Sequence, residues 1–566
     1  MRQGKSKIIK LFVPIASLLL TFFAWQTLLK PGYFSMHDDM QAFRVLEMDK
    51  CFRDGQIPCR WVPDAGYGYG YPLFNYYPPF PYYLAEVIHL LGFSILDSVK
   101  ITFVMGFLVA ALTMFLLGEV LWGIWGGFLS SLFYTYAPYH SLDIYARGAM
   151  NEFWSLAWFP GIFWAIYQYA KSRQKKYLLY FSLFYALLLL THNVMVMIFT
   201  PVAFVWLLLC LYLNKRIGKI FQFIGPSILA FGLAAFFSLP VIFEKKLVHV
   251  ETMLMGYFNY LAHFVSLKQL FWDRSWGWGA SVYGTDEKIS FQIGILHWGL
   301  SFLVALLTGF FLRRSKKKIW EVFFIFVVGL GSAFFTHSRS TFFWKVLKPL
   351  EYLQFPWRFL TLTIFSFSLL IGGLVYILNR WLKKQPVVLL IVSLLVASVI
   401  YLNIGYFKPE VWYDRLTDEQ KFSDSVEWRE QVTSGIFDYL PKSASYPPGE
   451  PAPKMAWFSE GGGEVDDYRQ GTNWLKFKLA INSDRAKVRL PVYYFPNWTV
   501  YVDGRISATD TNNFLGLPTF EVAKGSYAVE ARLLNTPIRT FGNWLSLVSW
   551  VIFCLLIIMK KPNSRP

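Results

Sequence analysis

The chain has 566 residues, 55% of them hydrophobic, 20% aromatic and only 16% charged. A soluble domain usually carries about 25% charged residues, so this composition excludes an ordinary soluble enzyme and points to a membrane. The net charge of +18 lies in short basic clusters between apolar runs, which excludes the single basic face of a nucleic-acid binder.

The first apolar run, Ile9–Leu29, is too long for the core of a signal peptide, and no small-x-small cleavage site follows it. It reads as a retained first span. A run of ~20 apolar residues crosses ~30 Å of hydrocarbon as a helix. Further candidates are 99–118, 121–138, 150–170, 177–191, 195–213, 219–243, 291–312, 319–336, 359–378, 387–405 and 541–559, about twelve transmembrane helices in all. With these spans, the basic clusters Arg2–Lys10, Lys171–Lys176, Lys215–Lys219, Arg313–Lys318, Arg380–Lys384 and Lys560–Arg565 fall on one side. That is the positive-inside pattern of a multi-pass cell (plasma) membrane protein with both termini cytoplasmic. The stretch Phe80–Gly92 is short and contains Glu86 and His89, so it reads as an interfacial helix. Thr191-His192-Asn193 is read as the outer turn of a hairpin.

The expected fold is a polytopic α-helical membrane protein with a C-terminal extracytoplasmic β-rich domain before the last helix. Residues 1–405 form the membrane domain, with a large first outer loop at 30–98. Residues 406–540 form the β-rich domain, and 541–566 the last helix and a cytoplasmic basic tail. Leu475, Phe477, Leu479 and Ile481 alternate with polar residues, the period of a half-buried strand. Runs 488–502 and 526–534 also read as strands, with Asp503-Gly504 as a hairpin turn. The stretch 406–470 is Pro/Gly-rich and reads as irregular.

Of four cysteines, Cys210 and Cys554 lie in apolar runs and read as inert packing residues. Cys51 and Cys59 share the first outer loop, where they can form a disulfide or stay as two thiols. That loop begins with His37-Asp38-Asp39. Adjacent carboxylates at a membrane surface can ligate a divalent ion such as Mg²⁺ or Mn²⁺, or act as a general base; more often such a pair is only a solvated turn. Arg44 follows, and then the run GYGYGYPLFNYYPPFPYY, which suits either a capping loop or a sugar platform. Other ionisable or polar groups gather at the same outer edge: Arg147, Glu152, His192, Asn193, Arg339 and Arg358. Several at one depth usually mean a polar cavity or headgroup contact, although any one alone is more often an interfacial anchor. Arginine grips phosphate through bidentate donation, which singles out Arg147, Arg339 and Arg358. Asn497-Trp498-Thr499 fits a glycosylation pattern but lies in an expected strand and is read as chance. No P-loop, dinucleotide fingerprint or HExxH is present, so ATP-driven and zinc-hydrolase chemistry has no support.

The segments SMHDDMQAFRV, GQIPCRW, GYGYPLFNYYPP, ARGAMNE, LTHN and QFPWRF resemble a bacterial family of 6-pyruvoyl-tetrahydropterin synthase-related membrane domains. That label carries no pterin activity. The layout of an acidic pair after the first span, many helices and a late outer β domain resembles the GT-C superfamily of membrane glycosyltransferases. The tail, YYFPNWTVYVDG through GSYAVEARL and a last span, is similar to the end of YfhO-like proteins, which are associated with glycosylation of envelope polymers. The resemblance covers most of the chain, but loop 244–290 has no counterpart.

It implies a polyprenyl-phosphate sugar donor drawn from the lipid bilayer, and an envelope glycan, lipid or protein as acceptor. It makes Asp38 the base or metal ligand, with Asp39 beside it. The substrate-binding set becomes His37, Arg44, Arg147, Glu152, His192, Asn193, Arg339 and Arg358. Two other readings stay open: a transporter or flippase of lipid-linked sugars, and a non-catalytic assembly subunit of the envelope. No nucleic-acid partner is expected.

Overall fold

An apolar chain in hydrocarbon must satisfy its backbone hydrogen bonds within itself, and the apolar runs accordingly fold as helices. The computed structural model describes residues 2–282, 288–311, 315–423 and 436–559. Basic residues Arg313, Arg314 and Lys560–Arg565 lie outside the described residues. The chain divides into two units: residues 1–39, 92–230 and 254–417, and residues 40–91, 231–253 and 418–566.

Among the described residues, seven helices are long and apolar enough to cross a membrane: Lys10–Leu29, Ile95–Trp122, Asn193–Leu213, Lys316–Phe335, Pro356–Trp381, Gln385–Tyr406 and Pro537–Ile558. An eighth is reached if Ile217–Leu233 and Ala235–Leu247, bent by 82° at their junction, count as one. This corrects the expected twelve, and each shortfall has a local cause. Gly123 (φ +88) cuts the run 121–138, leaving a helix of 12 residues, Ile124–Thr135. Gly294 (φ +102) delays the next helix to Ile295–Phe311, 17 residues. Lys176–Leu189 has only 14 residues. Met150–Ser172 has 23 residues but a lower hydropathy, because Trp154, Trp158, Pro160, Trp164, Tyr167, Gln168 and Tyr169 punctuate its apolar residues.

In the first unit, three helices meet through glycine. A Cβ on Gly127 would lie 2.6 Å from the Phe115 carbonyl, and one on Gly372 would lie 2.6 Å from the Gly126 carbonyl. Ile95–Trp122, Ile124–Thr135 and Leu360–Trp381 therefore touch backbone to backbone, the close approach that small residues permit between membrane helices. Leu360–Trp381 is buried along most of its length. Strands β1 (Tyr33–Phe34) and β2 (Trp412–Tyr413) pair antiparallel in the same unit.

The second unit holds a six-stranded antiparallel sheet. Its strands are β3 (Trp457–Glu460), β4 (Gly463–Gln470), β5 (Trp474–Arg489), β6 (Trp498–Val502), β7 (Arg505–Ser507) and β8 (Thr519–Leu533), ordered β3-β5-β8-β6-β7 with β4 also on β5. Leu475, Phe477, Leu479 and Ile481 face the core as their alternation requires. The run 488–502 is not one strand. Pro491 and Pro496 lack the N–H a ladder needs, so β5 ends at Arg489 and β6 starts at Trp498. Asp503 and Gly504, both at positive φ, turn β6 into β7. Strands β3 and β4 lie in the stretch read as irregular.

Asp54 fastens the first outer loop to this sheet. It accepts from the Thr472 amide at 2.6 Å, Thr472 Oγ1 at 2.7 Å and Trp474 Nε1 at 2.9 Å. Cys51 and Cys59 are joined as a disulfide, Cα to Cα 5.5 Å. Phe80–Leu90 is a helix of 11 residues, too short to span.

Glu86 sits buried in that short helix, and neither carboxyl oxygen has a partner among the described residues. Burial, and then Asp49, push it up to about 7. The folded chain therefore holds a proton that the unfolded chain releases near pH 4.5, and stability falls as pH rises from about 4.5 to about 7. Glu86→Gln should remove this slope and be more stable above pH 7 by about 1–3 kcal/mol, read as a higher Tm at pH 8 and an equal Tm at pH 5. Equal Tm values at both would show that Glu86 is not buried as a neutral acid.

Candidate functional site

The polar edge of the first unit is built on residues 138–152. Pro138–Ser141 opens a helical turn that widens over Leu142–Ala146 and is reversed at Gly148 (φ +65). Asp143 and Arg147, four residues apart, share one face and form an ion pair. Glu152 stands in the first turn of Met150–Ser172, where the helix end favours a negative charge. Its Oε2 accepts from Arg147 Nη2 at 2.9 Å and from Arg358 Nε at 3.2 Å, and its Oε1 from the Tyr139 hydroxyl at 2.5 Å. Arg358 also donates from Nη1 to the Leu353 carbonyl at 2.7 Å and to Gln354 Oε1 at 3.2 Å.

The acidic turn is attached to this network by its backbone. After β1, the His37 amide donates to the Ala146 carbonyl at 2.9 Å and the Asp38 amide to the Arg147 carbonyl at 2.8 Å. Met36 lies against Gly148, where a Cβ would come 2.3 Å from the Met36 sulfur. Glycine is thus required twice at this position, by its φ and by the space. Asp38 and Asp39 are half-buried and His37 is exposed.

An aromatic wall backs the arginines. The Arg147 guanidinium lies 4.2 Å from the Trp357 ring centre, and Arg358 lies 5.0 Å from that of Phe355. Trp357 in turn stacks on Phe355 at 4.8 Å and on Phe291 at 5.3 Å. Three of the five Arg147 N–H groups have acceptors among the described residues, namely Tyr139, Asp143 and Glu152; its Nε–H and one Nη2–H remain for a ligand. Burial, and then Glu152, push Asp143 well up against the pull of Arg147. Glu152 touches both guanidinium groups, whereas Asp143 pairs with Arg147 alone.

His192 borders the same groups. Burial, and then Arg358, push it down to about 3, so it stays neutral at physiological pH. Its Nδ1 accepts from the Val194 amide at 3.2 Å, capping helix Asn193–Leu213. Asn151 Nδ2 donates to the Thr191 carbonyl at 2.8 Å, which anchors that turn.

Of the residues singled out from sequence, the first unit brings together Asp38, Arg147, Glu152, His192 and Arg358, with His37 and Asp39 in the adjoining turn. Asn193 is exposed. Arg339 is exposed and makes no ion pair among the described residues. Arg44 belongs to the other unit, 4.2 Å from the Tyr77 ring centre and donating to the Tyr82 hydroxyl at 3.3 Å. Sequence reading missed Tyr139, Asp143 and Trp357. The i, i+4 spacing of Asp143 and Arg147 was the available signal for one of them. Among the described residues no three His, Cys, Asp or Glu side chains converge as metal ligands. Two adjacent carboxylates remain a donor set that Mg²⁺ accepts when substrate phosphate completes its shell.

Comparison with known proteins adds three findings. The family model for the 6-pyruvoyl-tetrahydropterin synthase related domain, described as a membrane protein, matches residues 74–405. An uncharacterized protein of Lactococcus lactis subsp. cremoris is 22% identical over 334 residues, 56% of this chain and 49% of the relative. The chain therefore spans about half the length of the relative it matches. The chain is also similar to the oligosaccharyltransferase of Archaeoglobus fulgidus tethered with an acceptor peptide, with 11% identity and a TM-score of 0.46 over 75% of this chain and 59% of that one. For the archaeal oligosaccharyltransferase AglB of the same organism, in complex with an inhibitory peptide and a dolichol-phosphate, the values are 11% and 0.45 over 79% and 62%.

Removing one partner of a buried ion pair leaves an unmatched charge. Glu152→Gln removes the carboxylate that two guanidinium groups share and should cost about 3–5 kcal/mol, whereas Asp143→Asn leaves both arginines their bonds to Glu152 and should cost less. Thermal unfolding in detergent checks the order; an Asp143→Asn loss as large as that of Glu152→Gln would show that Glu152 is not the shared partner.

Proposed function

The chain belongs to the family of membrane proteins that carry the 6-pyruvoyl-tetrahydropterin synthase related domain, and from that premise we propose that it is a GT-C-type glycosyltransferase. It moves a sugar from a polyprenyl-phosphate carrier to an envelope polymer, glycolipid or protein. The observation that supports the reading is that the Asp38 amide is bonded to the Arg147 carbonyl, while Arg147 and Arg358 share Glu152. The acidic turn is thus joined through its backbone to the segment that carries Arg147, and Arg147 and Arg358 meet at one carboxylate.

In this reading the lipid phosphate of the donor lies against Arg147 and Arg358. Asp38 accepts the proton of the acceptor hydroxyl as its oxygen attacks the anomeric carbon. The bond from that carbon to the phosphate oxygen breaks, and the lipid phosphate leaves with the electron pair. The two guanidinium groups stabilise the charge that develops there. Glu152 and Trp357 hold Arg147 in place and need not touch the sugar. In the alternative role, Asp38 and Asp39 would hold Mg²⁺ or Mn²⁺, whose chemistry would be to neutralise the donor phosphate, and Asp38 would then not be the base. The site would face the outer side of the cell membrane, with both termini in the cytoplasm.

The test is transfer from a panel of radiolabelled polyprenyl-phosphate sugars in proteoliposomes. Asp38→Ala should reduce turnover by at least about 100-fold while lipid-phosphate binding persists. Arg358→Gln should weaken that binding about tenfold. Unchanged transfer by Asp38→Ala would remove the base, and binding without transfer from any donor would favour a flippase or an assembly subunit.

A further inference from the structure

A second cationic centre lies wholly within the other unit. Arg60 is only 5% exposed. Its Nη1 donates to Asn75 Oδ1 at 2.8 Å, and its Nη2 to the Phe236 carbonyl at 3.0 Å and to Asn543 Oδ1 at 2.7 Å. All three acceptors are neutral, and among the described residues no carboxylate pairs with Arg60. Glu244, which could, is already engaged: it accepts from Arg539 Nε at 2.8 Å and from Thr536 Oγ1 at 2.5 Å. Two buried guanidinium groups therefore share one carboxylate, and a full positive charge is left over.

The surplus hydrogen-bonding capacity has the same sign. Arg60 Nε, Asn75 Nδ2 and Arg539 Nη2 are buried with no acceptor among the described residues. Arg60 can only donate, so Asn75 must turn its oxygen toward it and its amide nitrogen becomes the spare donor. A water molecule could accept from these groups, but it brings no charge, and an unmatched buried guanidinium costs several kcal/mol. Burial, and then Arg539, push Arg60 down to about 10, against a smaller pull from Tyr83 and Glu244.

We propose that Arg60, Asn75 and Arg539 form a binding site for a phosphate-class oxyanion, separate from the sugar-transfer site and independent of that reading. Guanidinium groups match two oxygens of such an anion at once. Arg539 and Asn543 lie in the first two turns of Pro537–Ile558, whose positive end adds to the field. Phe541 and Trp544 are exposed beside them, as interfacial anchors are. The site therefore sits at headgroup depth, where a phospholipid phosphodiester can supply the anion; free phosphate is the other source. Once bound, the anion would clamp the Arg60 loop, the Phe236 helix and the last helix to one another.

The test uses the full chain in nanodiscs of neutral phosphatidylcholine, read by native mass spectrometry and thermal unfolding. Added phosphatidylglycerol should be retained by the wild type and raise its Tm by about 5 °C, with retention at least about tenfold lower for Arg60→Gln. Asn75→Asp supplies the missing charge from within, so it should unfold at a higher Tm in neutral lipid and no longer respond to the anion. An equal saturable response to inorganic phosphate alone would assign the source to the free ion and keep the site. No retention or Tm response to either anion in the wild type, or an undiminished response in Asn75→Asp, would overturn it.

Discussion

Burying a guanidinium among apolar helices costs several kcal/mol unless charge meets it, and in the first unit one carboxylate meets two. Glu152 can accept from Arg147 and Arg358 together only if the start of Met150–Ser172 and the turn before Leu360–Trp381 are held at a fixed separation. The glycine contacts along Leu360–Trp381, the reversal at Gly148 and the stacking of Trp357 between Phe291 and Phe355 all keep that separation. The polar edge follows from the helix assembly, and the assembly tolerates it only because the charges meet.

The two units solve the same problem differently. In the first, two carboxylates meet two guanidinium groups, with Glu152 shared between them. In the second, carbonyl and amide oxygens meet the two terminal nitrogens of Arg60 but neither its Nε–H nor its charge. Hydrogen bonds and charge are separate accounts in a buried site. Around Arg60 both are left in part to be closed from outside the chain.

Much of this was legible in the sequence, to different depths. Apolar runs located helices, but not which would be cut short, because Gly123 and Gly294 act through positive φ, which composition does not reveal. Strand β5 was plain from its alternation, whereas β3 and β4 were hidden in a Gly-rich stretch whose pairing comes from β5 and not from local propensity. Arg147, Glu152, His192 and Arg358 were visible as polar residues at helix ends. That Glu152 binds the arginines, and so positions them, depends on contacts 206 residues apart. Arg60 read as one more residue in a polar loop, since its lack of an acidic partner among the described residues is a property of three distant segments.

The Cys51–Cys59 bond ends one residue before Arg60. The sulfur bridge ties the segment that carries this arginine back to helix Gln41–Arg53, ahead of any ligand. Thiols of this kind stay reduced in the cytosol and pair only in oxidising surroundings. The posture of the buried cation is thereby tied to the compartment in which the loop matures: a copy of the loop that never left the cytosol would have the same residues without the covalent tether that presents them.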